Sequence, residues 1–302
     1  MCHGGTIQHY NGSGWFPMES VTGEWLKGLW GNNATDVYAV GENGTILHYD
    51  GSSWSNVESW TMEHLYAVWG SSDVDIYSVG AAGSILHYDG VIWSAMESGT
   101  IENLRGVWGS SETDIFAVGD NGTILHYDGS TWSSMDSETT AWLLGVWGSS
   151  ETDVFATGGN YDVTKDWWDA SSWNGGTILH YDGSSWSEIP NEAPSQIFGV
   201  WGSSANNVFA VGNEGIILRY NGDDNDCCVV ERIYGGHSEK VETLRYFRDN
   251  ILRRTPTGQE IIRLYYEWSP AIVKAMEEDE GLKGELKGVI DGILTLIGAE
   301  AE

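Results

Sequence analysis

The chain has 302 residues, a formal net charge of −30, 17 Trp, 40 Gly and only 5 Pro. That length holds a large core or two domains, and so many aromatic side chains exclude a disordered chain. The acidity argues against nucleic acid as a partner, because such a field repels phosphate backbones; no apolar run approaches the roughly 20 residues of a membrane-spanning helix.

The first residues, MCHGGTIQHY, show neither the basic nor the apolar section of an export signal. Three cysteines, Cys2, Cys227 and Cys228, cannot build a disulfide framework. Residues 5–20 read as two short strands that match the end of the unit repeated after them, so the sequence enters in mid-repeat. Residues upstream, or a ring that begins with the late strands of a blade, both fit.

A Trp-Gly pair then recurs at Trp30, Trp69, Trp108, Trp147 and Trp201, with a spacing of 39 residues among the first four and a last step of 54. A repeat of this length decides architecture. Residues 104–132 show one unit. Leu104 to Trp108 is a short apolar run, followed by a polar turn. Ile115 to Val118 is apolar on both alternating faces, which predicts a strand covered on both sides. Asn121-Gly122 predicts a hairpin; Thr123 to Tyr127 is the third strand; Asp128-Gly129 turns the chain again, and Ser130 to Met135, with Trp132, is the fourth. Four antiparallel strands cannot bury both faces alone, but copies stacked radially can. The expected fold is therefore an all-β propeller over residues 1–222, about five four-stranded blades. The simplest closure joins residues 5–20 to residues 197–222, with one HY strand left over; a ring truncated from six or seven blades is the alternative.

Residues present in every blade build blades, whereas a single ligand site needs residues that break the symmetry. On that ground His48, His87, His126 and His180 are assigned to hydrogen bonds within or between sheets, and Asp36, Asp75, Asp114 and Asp153 to turn caps. The Trp-Gly tryptophans are assigned to packing between blades. The symmetry breaks at residues 160–174, NYDVTKDWWDASSWN, an insertion between the second and third strands of the fourth blade. Such loops open on the face that carries the blade linkers, where Trp25, Trp60, Glu63, His64, Glu102, Asn103 and Trp142 lie. The candidate ligand residues are Trp60, Trp142, Tyr161, Asp166, Trp167, Trp168, Asp169 and Trp173. Aromatic faces beside carboxylates suit a glycan or a protein ligand. The inserted tryptophans folding back over the mouth of the ring is the competing arrangement. No catalytic residues, metal site or cofactor are expected: no phosphate loop, nucleophile triad or zinc spacing stands out.

After residue 222 the composition changes. Residues 238–253 place Val241, Leu244, Phe247 and Ile251 at helical spacing. Further helices are expected over 258–268, from Pro270, and over 282–297 with Leu282, Leu286, Val289, Ile290, Ile293 and Leu294. Residues 223–302 thus read as a small all-α domain, preceded by an acidic linker, Asp223-Asp224-Asn225-Asp226, that lacks the Gly and distal Glu of a calcium loop.

The wording WGSS…DVFAVG…GTILHYDG…W resembles repeats of exported bacterial proteins, distant relatives of the BNR/Asp-box propellers of sialidases. Here Asp50 and Trp54 stand four residues apart. Cys227, Tyr234, Gly235, Leu244-Arg245-Tyr246-Phe247-Arg248-Asp249 and Ser269-Pro270 resemble the CFI-box C-terminal domain of exported bacterial proteins. These resemblances imply an extracellular or cell-surface setting. A sialidase site, by the same resemblance, clamps a carboxylate with three arginines, whereas residues 1–222 hold two, Arg105 and Arg219. The expected function is a non-enzymatic surface protein whose propeller face binds a glycan or protein. A lectin-like or glycoside-hydrolase-like sugar-active protein and a pure scaffold are the alternatives.

Overall fold

The computed structural model describes residues 4–161, 173–191, 193–220, 272 and 280–296. The chain divides into two compact units, Met1–Asn221 and Gly222–Glu302.

The first unit is a series of antiparallel sheets, each formed by consecutive strands. The first sheet has two strands, β1 (Ile7–Tyr10) and β2 (Trp15–Met18). Four four-stranded sheets follow. They comprise β3 (Leu26–Asn33), β4 (Asp36–Gly41), β5 (Ile46–Tyr49) and β6 (Trp54–Val57); β7 (Leu65–Ser72), β8 (Asp75–Gly80), β9 (Ile85–Tyr88) and β10 (Trp93–Met96); β11 (Leu104–Ser111), β12 (Asp114–Gly119), β13 (Ile124–Tyr127) and β14 (Trp132–Met135); and β15 (Trp142–Ser150), β16 (Asp153–Tyr161), β17 (Trp173–Tyr181) and β18 (Trp186–Glu188). The last sheet has three strands, β19 (Ile197–Ser204), β20 (Asn207–Gly212) and β21 (Ile217–Tyr220). The first strands of successive four-stranded sheets, and β19 after them, lie side by side. This is the blade arrangement of a β-propeller, as the repeat predicts.

The second strand is the core of each sheet. In β12, Ile115, Phe116, Ala117 and Val118 are all fully buried, because neighbouring sheets cover both faces. Between the second and third strands, Asn121 (φ 54°) and Gly122 (φ 69°) both adopt left-handed backbone, the geometry an Asn-Gly hairpin supplies. At the second turn Gly129 has φ 87°, and Asp128 Oδ1 accepts the backbone N–H of Ser130 and Thr131 and the Ser130 hydroxyl. The Asp–His pairs join both strands of the hairpin: His48 to Asp36, His126 to Asp114 and His180 to Asp153 at 2.7 Å, and His87 to Asp75 at 2.8 Å. Each imidazole also lies on the aromatic of the second strand, with Tyr77 and His87 centroids 4.5 Å apart.

Sheets pack by a Trp-into-Gly contact. A Cβ built on Gly109 would lie 2.6 Å from the Trp69 ring and 2.9 Å from the Asp114 carbonyl oxygen; Gly70, Gly148 and Gly202 meet Trp30, Trp108 and Trp147 in the same way.

The expected closure does not form among the described residues. β1 and β2 pair only with each other, and β19–β21 form a sheet of their own. Both end pieces carry a third strand of the same type, β1 and β21, and one blade has room for a single one. The β1–β2 sheet instead packs Ile7 and Met18 against the cluster of Leu47 and Trp54.

In the second unit the described helix, α1, runs from Glu280 to Leu296, over the fourth predicted helix. Leu282, Leu286 and Ile290 are half-buried and Val289 is exposed. The first two predicted helices, the acidic linker and the Cys227–Tyr234–Gly235 motif lie outside the described residues, and of the helix predicted from Pro270 residue 272 is described. No described helix is long and apolar enough to cross a membrane.

Two predictions follow from the packing and the turns. Gly109→Ala forces a rigid indole and backbone apart, and is expected to cost about 1–3 kcal/mol in urea unfolding; an unchanged midpoint removes the contact from the account of stacking. The Ser130 hydroxyl, and after it the Thr131 and Ser130 amides, hold the Asp128 carboxyl down at about 2. Because the folded value is depressed, the turn's contribution is present above the ordinary value of 3.8 and is lost as pH falls through about 2. Ser130→Ala should raise the Asp128 midpoint in an NMR carboxyl titration, and no rise means that the hydroxyl is not the cause.

Candidate ligand-binding face

The linkers from one sheet to the next abut the hairpin between the second and third strands. A Cβ on Gly44, Gly83 or Gly122 would strike the carbonyl of Thr61, Thr100 or Thr139, and the Ala81 amide donates to the His64 carbonyl. Linkers and hairpins therefore share one face, as their order in the repeat predicts.

At this face the residue three places before the Trp of each Trp-Gly pair varies while its neighbours repeat: Lys27, Tyr66, Arg105, Leu144 and Phe198. Two of them, Tyr66 and Arg105, belong to a cluster that the sequence did not single out. The Arg105 guanidinium donates to both carboxylate oxygens of Asp120, at 2.8 and 2.9 Å. It also lies 4.8 Å from the Tyr66 ring centroid and 5.1 Å from that of Trp142. The Asp120 side chain is 4% exposed and accepts a further hydrogen bond from Asn103 at 2.8 Å. Burial pushes the Tyr66 phenol up, while Arg105 partly opposes it. One sheet earlier, Lys27 pairs with Glu42 at 3.1 Å and lies over Trp25. The missed signal was present in the repeat: a varying position between invariant ones, visible once the strand register is known.

The predicted site residues separate. Trp142 and Tyr161 come together, with ring centroids 4.3 Å apart, and Trp142 joins the Arg105 cluster. Both are half-buried. The insertion lengthens the β16–β17 hairpin: Asn160 pairs with Asn174 and Tyr161 with Trp173. Asp166, Trp167, Trp168 and Asp169 lie outside the described residues.

Trp60 stands apart from that cluster. It occupies the same linker position as Gly99 and Glu138, and all three have left-handed backbone, with φ of 57°, 75° and 54°. A bulky residue there is strained where the repeat also uses glycine. Trp60 is 81% exposed, and Met62 and Ile101, which share the next linker position but one, are 78% and 86% exposed. Beside Trp60 a cavity of about 220 Å³ is lined by Thr61, Ser84, Trp93 and Met96. Among the described residues no group of three His, Cys, Asp or Glu side chains could hold a metal ion.

A comparison with protein-family models found no match, and a comparison with curated proteins found none either. Solved structures are similar in fold. YCF48 from Cyanidioschyzon merolae is 13% identical with a TM-score of 0.53, over 72% of this chain and 73% of its own. A chain of the COPII outer coat vertex on membranes is 13% identical with a TM-score of 0.54, over 69% of this chain. This chain spans 60% of that COPII chain, and 33% of one in the COPII coat assembled on membranes, which is 13% identical with a TM-score of 0.54 over 69% of this chain. These likenesses concern the β-propeller fold.

Arg105 holds the cluster together, so Arg105→Ala leaves the buried Asp120 carboxylate with one side-chain donor fewer on each oxygen and should cost about 2 kcal/mol in chemical denaturation. Arg105→Lys should recover little of it, because an ammonium cannot reproduce the bidentate fork or the stacking. Full recovery by lysine contradicts this role.

Proposed function

We propose that this chain is a non-enzymatic binding protein whose linker face takes a protein or peptide ligand. The observation that carries the reading is Trp60, held in left-handed backbone and 81% exposed. The repeat offers glycine for that turn, so the indole is present at a cost in stability and without burial in return. Exposed apolar side chains flank it at Met62 and Ile101, and the half-buried Arg105–Trp142–Tyr161 cluster stands on the same face. Aromatic anchors projecting from a framework held by hydrogen bonds suit a polypeptide. A glycan ring instead seeks a flat aromatic surface bordered by hydrogen-bonding groups, a description that rests more on the inserted tryptophans. The extracellular or cell-surface setting and the kinship with exported, BNR-like repeats belong to this proposal and draw on the repeat wording.

Peptides selected from a displayed random library against the full chain should lose at least about tenfold in affinity to Trp60→Gly, the cost of deleting an aromatic anchor. The same variant should gain up to about 1 kcal/mol in stability, because glycine accepts the turn without strain. Peptides that bind both proteins equally sink the role of Trp60. A glycan array signal with no peptide ligand replaces the polypeptide by a sugar, and turnover in a glycoside screen overturns the non-enzymatic part.

A further inference from the structure

The 77 residues between Lys27 and Arg105 contain ten Asp and Glu and no Lys or Arg. Both bounding cations are engaged, Lys27 by Glu42 and Arg105 by Asp120. Of the three histidines in this stretch, His48 and His87 are taken by Asp36 and Asp75, and His64 accepts the Asn43 amide at Nδ1, 3.1 Å away. Among the described residues, this stretch therefore has no spare cation for its remaining carboxylates.

Some of those carboxylates stand at one repeated place. An acidic residue follows directly after β2, β6, β10 and β14, as Glu19, Glu58, Glu97 and Asp136. Asp136 joins the turn it begins, accepting the Glu138 amide at 3.0 Å. Glu19, Glu58 and Glu97 are exposed, and among the described residues no hydrogen bond or ion pair engages their carboxylates. A residue repeated from unit to unit ordinarily builds the unit; these three make no bond in the turns they begin.

Glu58 and Glu97 flank the cavity beside Trp60. One wall of that cavity is the linker, with Trp60 and Thr61, and the other is the β9–β10 hairpin, with Ile85, Trp93 and Met96. Glu58 stands two residues before Trp60, and Glu97 directly after Met96, so each wall carries a carboxylate. At about 220 Å³ the cavity exceeds the roughly 150 Å³ that takes up benzene, enough for one apolar side chain. We infer that the linker face takes a cationic peptide segment: an apolar side chain enters the cavity under the Trp60 indole, and lysine or arginine on either side of it meets Glu58 and Glu97. This inference rests on the reading of that face as a peptide site and adds the chemistry of the ligand. The apolar anchor would supply most of the affinity, and the exposed carboxylates the choice of partner and the rate of encounter.

The test pans a displayed random peptide library against the full chain and keeps the clones that Trp60→Gly weakens at least about tenfold. These peptides should carry a surplus of Lys and Arg around an apolar residue. Raising NaCl from about 50 to about 500 mM should weaken them several-fold, because salt screens exposed charge pairs. Glu58→Gln with Glu97→Gln should weaken them about three- to tenfold. Glu112→Gln with Glu151→Gln removes the same charge from exposed turns at the opposite end of the sheets and should leave them unchanged. A second measurement alters no residue of the protein: glutamine in place of the Lys and Arg of the peptide should cause a loss similar to that of the first pair. If both glutamine pairs act alike, the overall field and not this site selects the charge, and the inference falls. Neutral or acidic peptides that still need Trp60 overturn the inference and leave the face a peptide site. A library that yields no clone dependent on Trp60 removes the peptide reading itself, and the inference with it.

Discussion

One contact sets the geometry of the first unit: a tryptophan ring that lies where the next sheet's glycine would carry a Cβ. The approach is 2.8 Å at Gly70, 2.6 Å at Gly109 and Gly148, and 2.5 Å at Gly202. Any side chain there would push the sheets apart. The contact needs a Trp in one sheet and no side chain in the next, so each interior unit must carry both. That is why the two residues sit side by side as Trp-Gly, and why the dipeptide keeps its place through units whose linkers differ. The contact is also directional, since each sheet gives its ring to its successor. Among the described residues the two ends of the series leave its halves unused: Gly31 meets Val37 and Asp36 and no indole, and Trp201 is 61% exposed.

Within each sheet the Asp–His pair does for the hairpin what Trp-Gly does for the stack. The carboxylate ties the start of the second strand to the third strand through the imidazole, and in three sheets a serine hydroxyl, from Ser71, Ser110 or Ser149, occupies its other oxygen. The first full sheet has Asn32 at the serine position, and the Asp36 Oδ2 is left buried without a partner. The last sheet exchanges both members: Arg219 Nε donates to Asn207 Oδ1 at 3.1 Å, and the guanidinium lies over Phe209 as the imidazoles lie over their aromatics. Aspartate with histidine has become asparagine with arginine, and the hydrogen bond from third strand to second survives the exchange.

The repeat made most of the fold legible. Alternation within Ile115–Val118, the Asn-Gly turn and the Asp128-Gly129 turn each specify one local geometry, and each recurs often enough to fix the register. What the repeat does not contain is the way its ends meet. Joining residues 5–20 to residues 197–222 looked economical although it left one HY strand over; the pairing of the described strands places β1–β2 and β19–β21 in separate sheets. The candidate face was legible in part. Trp60 and Trp142 announced themselves as aromatics in linkers. Arg105, Tyr66 and Asp120 did not, because each is unremarkable alone and gains meaning from stacking and from a carboxylate buried 15 residues further along. The left-handed backbone at Trp60 was not legible at all, since nothing local demands it except the glycine at the same place one unit later.

Stacked repeats tolerate such departures because each sheet touches only its neighbours, and a local cost does not propagate along the array. Strain at Trp60 is confined to one linker, and the buried Thr157 hydroxyl to one interface. A single globular core would spread either disturbance through its packing. Regularity thus does two things at once. It supplies stability in identical increments, and it isolates the positions where a unit can give up some of that stability for a surface the other units lack. The places to seek function in this chain are therefore those where the repeat offers a cheaper residue and the chain uses another: tryptophan in place of glycine at residue 60, arginine where later units have the aliphatic Leu144 and the aromatic Phe198 at residue 105, and threonine in place of valine at residue 157.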